Sequence, residues 1–237
     1  MSRRVLTPPE PGKTAPDHWD AWVDLRGETV ASSRTSETLR VRAFGRDLHV
    51  KRYRYSLTAA IRGCLRNTLF RPSRALHEYR MLSLLGPDLS PRVVAVGERR
   101  VAGLLREAFL ATETLYADPV VEVASDAEAA RLGAFVGRLH AGGVVHGGLF
   151  PRNLLRTADG GFRVLDLDRM RRTGRRDRRA FDLACLAASL HPDERRCAAA
   201  LRGYRDALPE EAAGLRERVA ARIAEAQARI ARRLRRR

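Results

Sequence analysis

The stretch "VVHGGLFPRNLLRTADGGFRVLDLD" (144–168) sets the tightest limit on what this chain can fold into. It reads as a short strand at Val144–Val145, a loop from His146, and a strand at Asn153–Arg156. A turn at "ADGG" then leads to a further strand, "FRVLDLD". A helix comes before it, "SDAEAARLGAFVGRLHAGG". Ser125 and Glu128 have the spacing of a capping box, and Leu132, Phe135, Val136 and Leu139 share one face. Gly142 ends that helix, and from about Arg169 the chain reads as helical. A small hairpin set in a mainly helical half is the signature of an α+β protein, provided strands dominate the other half.

They do. "ETVASSR", "ETLRVRAF" and "DLHVKRY" alternate as strands between about Trp19 and Tyr53, with Gly45-Arg46 as the turn between the last two. "YSLTAAIRGCLRNTLFR" is Arg-rich and fits a loop or a short helix. "PSRALHEYRMLSLLGP" is a helix, with Ser73 as N-cap, Gly86 at the stop and Pro87 barring continuation. "PRVVAVGERRVAGLLREAFLATETL" reads as two or three strands around Gly97 and Gly103. The order predicts two lobes joined near Glu113–Asp118. Residues 1–18 form a Pro-rich disordered tail, 19–115 a strand-rich N-lobe, and 116–213 a short, mainly helical C-lobe. Residues 214–237 form an Arg-rich amphipathic helix. Its apolar positions, Leu215, Val219, Ile223, Ala226, Ile230 and Leu234, recur every three or four residues. Such a helix can pack on the lower lobe, the reading adopted here, or lie on an anionic membrane surface.

Composition narrows the class. The chain of 237 residues carries a net charge of +17, a field that attracts polyanions. Aromatics are only 6% and no nucleic-acid motif is present, so a specific nucleic-acid partner is not expected. Cys64, Cys185 and Cys197 lack metal-site spacing and fit free thiols in a reducing compartment. The N-terminus has no apolar core of a secretory signal, and no run reaches membrane-spanning length. A cytoplasmic monomer is expected. Of the 45 basic residues only Lys13 and Lys51 are lysines. A lysine kept inside a strand, where arginine is the habit, points to a site that needs a compact ammonium.

Lys51 on a strand, Glu78 on the next helix, Asn153 seven residues after His146, and Asp166 after the hairpin occur in that order. A kinase-type site needs these parts: a lysine on the nucleotide phosphates, a glutamate pairing that lysine, and hard oxygen ligands for a metal. His146 reads as a brace of the loop backbone. His49, His77 and His140 have no metal spacing and read as surface or packing residues.

The segments "VKRY", "SRALHEYRMLSLL", "VVHGGLFPRNLL", "VLDLDRMRR" and "FDLACLAASL" resemble the bacterial lipopolysaccharide kinase family. These are Kdo/heptose kinase-like proteins of InaA/WaaP type with a protein-kinase-like fold, and the likeness runs from about Glu28 to Leu190. It implies ATP and Mg²⁺ as cofactors, with Lys51, Glu78 and Glu113 in the nucleotide site and Asn153 and Asp166 as metal ligands. It also implies Asp182 as a structural acid beneath the catalytic loop, which agrees with an N-cap position before "LACLAASL". The implied acceptor is a sugar hydroxyl of a lipid A inner-core saccharide or related glycolipid. The reaction would then run at the inner face of the cytoplasmic membrane.

Two departures stand out. Gly148 takes the place of the family's catalytic Asp, which orients the acceptor hydroxyl and accepts its proton. Asp168, two residues from Asp166 on an extended strand, is the candidate substitute base. No glycine-rich loop precedes Lys51, and "ASSRTSETL" would have to cover phosphates through backbone and hydroxyl groups. Gly148 therefore keeps a second reading open, a pseudokinase that binds nucleotide or serves as a scaffold. An aminoglycoside- or choline-type phosphotransferase is a third, ranked lower because only about 70 residues follow Asp166.

Overall fold

Period-two alternation organises the first half of the chain. In the computed structural model, which describes residues 1–8, 15–55 and 72–234, the chain forms two compact units, Met1–Leu115 and Tyr116–Arg237. The side chains of Asp168, Arg233 and Leu234 also lie outside the description. So do Lys13, Cys64 and all of the Arg-rich segment after Tyr55, residues 56–71.

The first unit is an antiparallel six-stranded sheet. Its strands are β1 (Ser2–Leu6), β2 (Glu28–Ser32), β3 (Ser36–Ala43), β4 (Arg46–Arg54), β5 (Val93–Val101) and β6 (Leu104–Glu113). They lie in the order β1-β5-β6-β4-β3-β2. Along β4 the pleat sends Leu48, Val50 and Arg52 to one face and His49, Lys51 and Tyr53 to the other. The first face is closed by a helical turn, α1 (Asp20–Val23), which brings Trp19 and Trp22 onto Leu39, Val41, Leu48, Val50 and Phe109. Trp22 stacks on Phe109 with ring centroids 5.5 Å apart, and its indole N–H donates to Pro16 O at 2.9 Å. The second helix, α2 (Arg74–Leu85), has the expected cap, with Ser73 Oγ accepting from Leu76 N at 3.1 Å.

Three sequence expectations change here. Ser2–Leu6 is not a tail but an edge strand paired with β5, register Ser2 with Arg100. The turn between β3 and β4 is Phe44-Gly45, one residue earlier than expected. A two-residue hairpin of this type needs positive φ at both positions. Phe44 has φ 55° and Gly45 φ 69°, and Phe44 rests on Trp22 with ring centroids 5.0 Å apart. Lastly, the strand-like reading from Trp19 overlooked α1, because two tryptophans three apart mark one face of a helical turn.

The second unit holds β7 (Asp118–Pro119), α3 (Asp126–Ala141), β8 (Val144–Val145), β9 (Leu154–Arg156), β10 (Phe162–Val164) and β11 (Arg171–Arg172). Its remaining helices are α4 (Arg176–Leu190), α5 (Glu194–Ala207) and α6 (Leu215–Leu234). Strands β10-β9-β7 make one small sheet and β11-β8 another. Ser125 Oγ caps α3 by accepting from Glu128 N at 3.2 Å. Glu128 reaches back to Ala124 N at 2.8 Å, one residue before the expected box partner, and pairs with Arg156 Nε at 2.7 Å. Leu132, Phe135, Val136 and Leu139 are all buried. Helices α3 and α5 cross backbone against backbone at Gly133 and Gly203. Helix α6 buries Leu215, Val219 and Ala226 and packs against α4, while Ile223 and Ile230 are only partly covered. Among the described residues no helix is long and apolar enough to cross a membrane.

Candidate active site

In the first unit, strand alternation aims Lys51 and Tyr53 at α2, where Glu78 meets both. Lys51 Nζ donates to Glu78 Oε1 at 2.9 Å, and Tyr53 Oη donates to the same oxygen at 2.5 Å. The Glu78 side chain is 5% exposed and that of Lys51 23%, so the carboxylate is the more enclosed partner of the pair. Burial first, and the Glu78 charge second, push the Tyr53 phenol well above its usual pKa, so it remains a donor. Tyr53 was not singled out from the sequence, although its position two after Lys51 on an alternating strand carries the signal. Glu113 stands apart from this pair. Its carboxylate accepts from Arg46 Nη1 at 3.2 Å and its N–H donates to Arg92 O. In the β2–β3 turn, the stand-in for a glycine-rich loop, Ser33 Oγ and Ser36 Oγ lie 2.8 Å apart.

In the second unit, the loop from His146 is fixed from below by a fully buried carboxylate. Asp182 accepts His146 N at 2.6 Å and Gly148 N at 2.8 Å. Burial acts to raise the Asp182 pKa. The hydrogen bond and charge of His140, the charge of His146 and the Gly148 N–H outweigh it and hold the carboxyl below its usual value. Behind it runs a buried chain: Tyr204 Oη lies 3.0 Å from His140 Nδ1, and His140 Nε2 lies 3.4 Å from Asp182 Oδ2. The N-cap reading of Asp182 fails, since α4 begins six residues earlier at Arg176. The carboxylate caps the loop instead of its own helix.

The same loop is stitched to the end of β10. His146 Nε2 lies 3.0 Å from Leu165 O, and Leu165 N donates to Asn153 O at 2.7 Å. Asn153, in a 3-10 turn at Pro151–Asn153, is buried and donates Nδ2 to Gly148 O at 3.1 Å. Asp166 follows directly and is exposed, at φ 59° and ψ 61°. Left-handed backbone in a non-glycine residue is uncommon and gathers at functional sites. With its amide N committed to Gly148, Asn153 has its amide oxygen left as a donor atom. That oxygen and the Asp166 carboxylate are hard oxygen groups of the kind Mg²⁺ takes as ligands. Among the described residues no group of three or more His, Cys, Asp or Glu side chains could hold a metal by itself.

The structure removes the argument for Asp168. Strand β10 ends at Val164, and Leu167–Arg169 is a 3-10 turn, so the alternation that would align Asp168 with Asp166 does not apply. Gly148 itself sits at φ 146°, a conformation that L side chains rarely adopt. Any residue other than glycine there, Asp included, meets backbone strain.

Residues 20–204 match the family described as lipopolysaccharide kinase (Kdo/WaaP) family. A solved structure, an aminoglycoside-3'-phosphotransferase of type VIII, aligns with a TM-score of 0.52 at 20% identity. The alignment covers 84% of this chain and 92% of that one, and at such identity the likeness speaks for a shared kinase-like phosphotransferase fold. No curated relative matches the chain.

Proposed function

The chain belongs to the lipopolysaccharide kinase (Kdo/WaaP) family, and on that footing we propose an ATP-dependent, Mg²⁺-requiring transfer of phosphate to a hydroxyl of a lipid A-core saccharide or related glycolipid. The observation that carries this reading is the Lys51–Glu78 pair, in which an enclosed carboxylate holds one of the chain's two lysines at 2.9 Å. Lys51 takes a nucleotide phosphate, while Tyr53 and Glu78 fix where it points. Asn153 and Asp166 hold the metal. Bound there, Mg²⁺ supplies positive charge to the phosphate oxygens. Asp182 and His146 keep the loop backbone in one shape. Because transfer of a phosphoryl group rests mainly on positioning and charge, a loop without its carboxylate is slowed rather than silenced. The loss of a general base is worth about 10²–10⁴-fold.

Calorimetry of the full chain checks the site. Metal-dependent Mg-ATP binding is expected, weakened at least about tenfold by Lys51→Ala and by Asp166→Asn, the scale of one charge-assisted contact. A wild-type chain that binds no Mg-ATP would overturn the reading. Gly148 favours one second reading, nucleotide binding without transfer, and a turnover assay separates the two. Asp168→Ala tests the remaining base candidate. With the strand alternation behind it gone, the substitution is expected to leave both turnover and Mg-ATP affinity unchanged, and a clear loss of turnover alone would restore Asp168 as the base.

A further inference from the structure

Beside the loop glycine stands a cation that the proposed chemistry has not used. Arg229 lies on α6, 82 positions along the chain from Gly147, and its Nη1 donates to Gly147 O at 3.0 Å. A side chain at Gly148 would begin 3.5 Å from that same Nη1. The guanidinium lies 4.3 Å over the Phe181 ring of α4, and Nη2 is 3.6 Å from Glu225 Oε1. Helix α6 is anchored through Leu215, Val219 and Ala226, so the group is delivered by a packed element and not by a loose tail. Its side chain is 28% exposed.

Arg229 and Asn153 bond the carbonyls of two successive residues, Gly147 and Gly148. The guanidinium thus shares one turn of chain with a residue assigned to the metal. A guanidinium offers donors and no acceptor, so it does not restore the missing base. What it can do is donate to phosphate oxygens, for which its planar fork is shaped.

We propose that Arg229 contacts the terminal phosphate of bound ATP, so that this loop acts on the transferring group by charge where a carboxylate would act on the acceptor. The inference rests on the phosphotransferase reading above. It also gives Gly148 a physical sense. A carboxylate there would add a second anion beside Arg229, which Glu225 already pairs, whereas glycine leaves that net positive charge undiminished.

The test compares Mg-ATP with Mg-ADP on the full chain by calorimetry, without acceptor. Arg229→Gln keeps a donor for Gly147 O but loses the charge. Arg229→Met keeps the stem over Phe181 and serves if the first variant is unstable. In either folded variant, Mg-ATP affinity is expected to fall about tenfold or more, with Mg-ADP affinity little changed. Equal losses for both nucleotides, or none, would show a merely structural tie and overturn the inference. Binding that depends on Asp166 yet ignores Arg229 removes this inference alone. A wild-type chain that binds no Mg-ATP removes it together with the function proposed above.

Discussion

Asp182→Asn is expected to lower the stability of the second unit by about 3 kcal/mol or more, the scale for breaking a buried charged network by removing one member. The amide has the shape of the carboxylate but only one accepting oxygen. Either His146 N or Gly148 N, now bonded at 2.6 and 2.8 Å, must then face an NH₂ group inside a site with no exposure. Unfolding in urea, followed by far-UV circular dichroism, reads this directly, since most of the helix among the described residues lies in the second unit. The pH dependence has a definite sign. The folded Asp182 carboxyl is held below its usual value. Its contribution is therefore complete above the unfolded carboxylate pKa of about 3.9, and is lost as pH falls through the lower folded value. The gap between wild type and Asp182→Asn should stay constant from pH 5 to 8, each about a unit or more above that range, and close only in acid. A gap that already narrows near neutrality would assign the network to another group.

Gly203→Ala is expected to destabilise by about 3 kcal/mol, the upper end of what overpacking usually costs. In an exposed helix interior the same change would gain about 1 kcal/mol. Here the added Cβ would lie 1.9 Å from Ala130 O, and across the crossing a Cβ on Gly133 would lie 1.8 Å from Ala200 O. The obstructing atoms are backbone, so no rotamer change relieves them and the helices must separate. The steric term outweighs the propensity gain, which decides the sign. Both tryptophans, Trp19 and Trp22, belong to the first unit, so their fluorescence reports on that unit while circular dichroism reports mainly on the second. The helical transition should shift to lower urea. A variant more stable than wild type would mean that α3 and α5 do not meet at these glycines.

Much of the site was legible because local rules place it. Alternation along β4 determines that Lys51 and Tyr53 share a face, and the capped helix from Ser73 determines which turn carries Glu78. The glycines, the proline and the asparagine of the His146 loop announce an irregular turn between short strands. Each of these signals lies within about ten residues of the group it positions, the range over which backbone periodicity and capping act.

What failed were readings that extended a local rule past its end. Asp168 was aligned with Asp166 by strand alternation, but the strand stops at Val164 and Asp166 turns into left-handed backbone. Asp182 was read as the cap of the helix ahead of it, yet the helix had already begun, and its carboxylate serves a loop more than thirty residues away in sequence. Ser2–Leu6 carries no alternation strong enough to announce a strand, and becomes one only because β5 offers an unpaired edge.

Near neighbours are enough to place the two-part order of elements, the strand that bears Lys51, the helix that bears Glu78 and the glycine where a carboxylate is usual. Which oxygen receives Lys51, what holds the loop from beneath and which cation stands beside Gly148 emerge only in the folded chain. Those partners are brought together by packing between helices and strands that are distant in sequence. A guanidinium 82 residues from the carbonyl it binds leaves no trace in any local pattern.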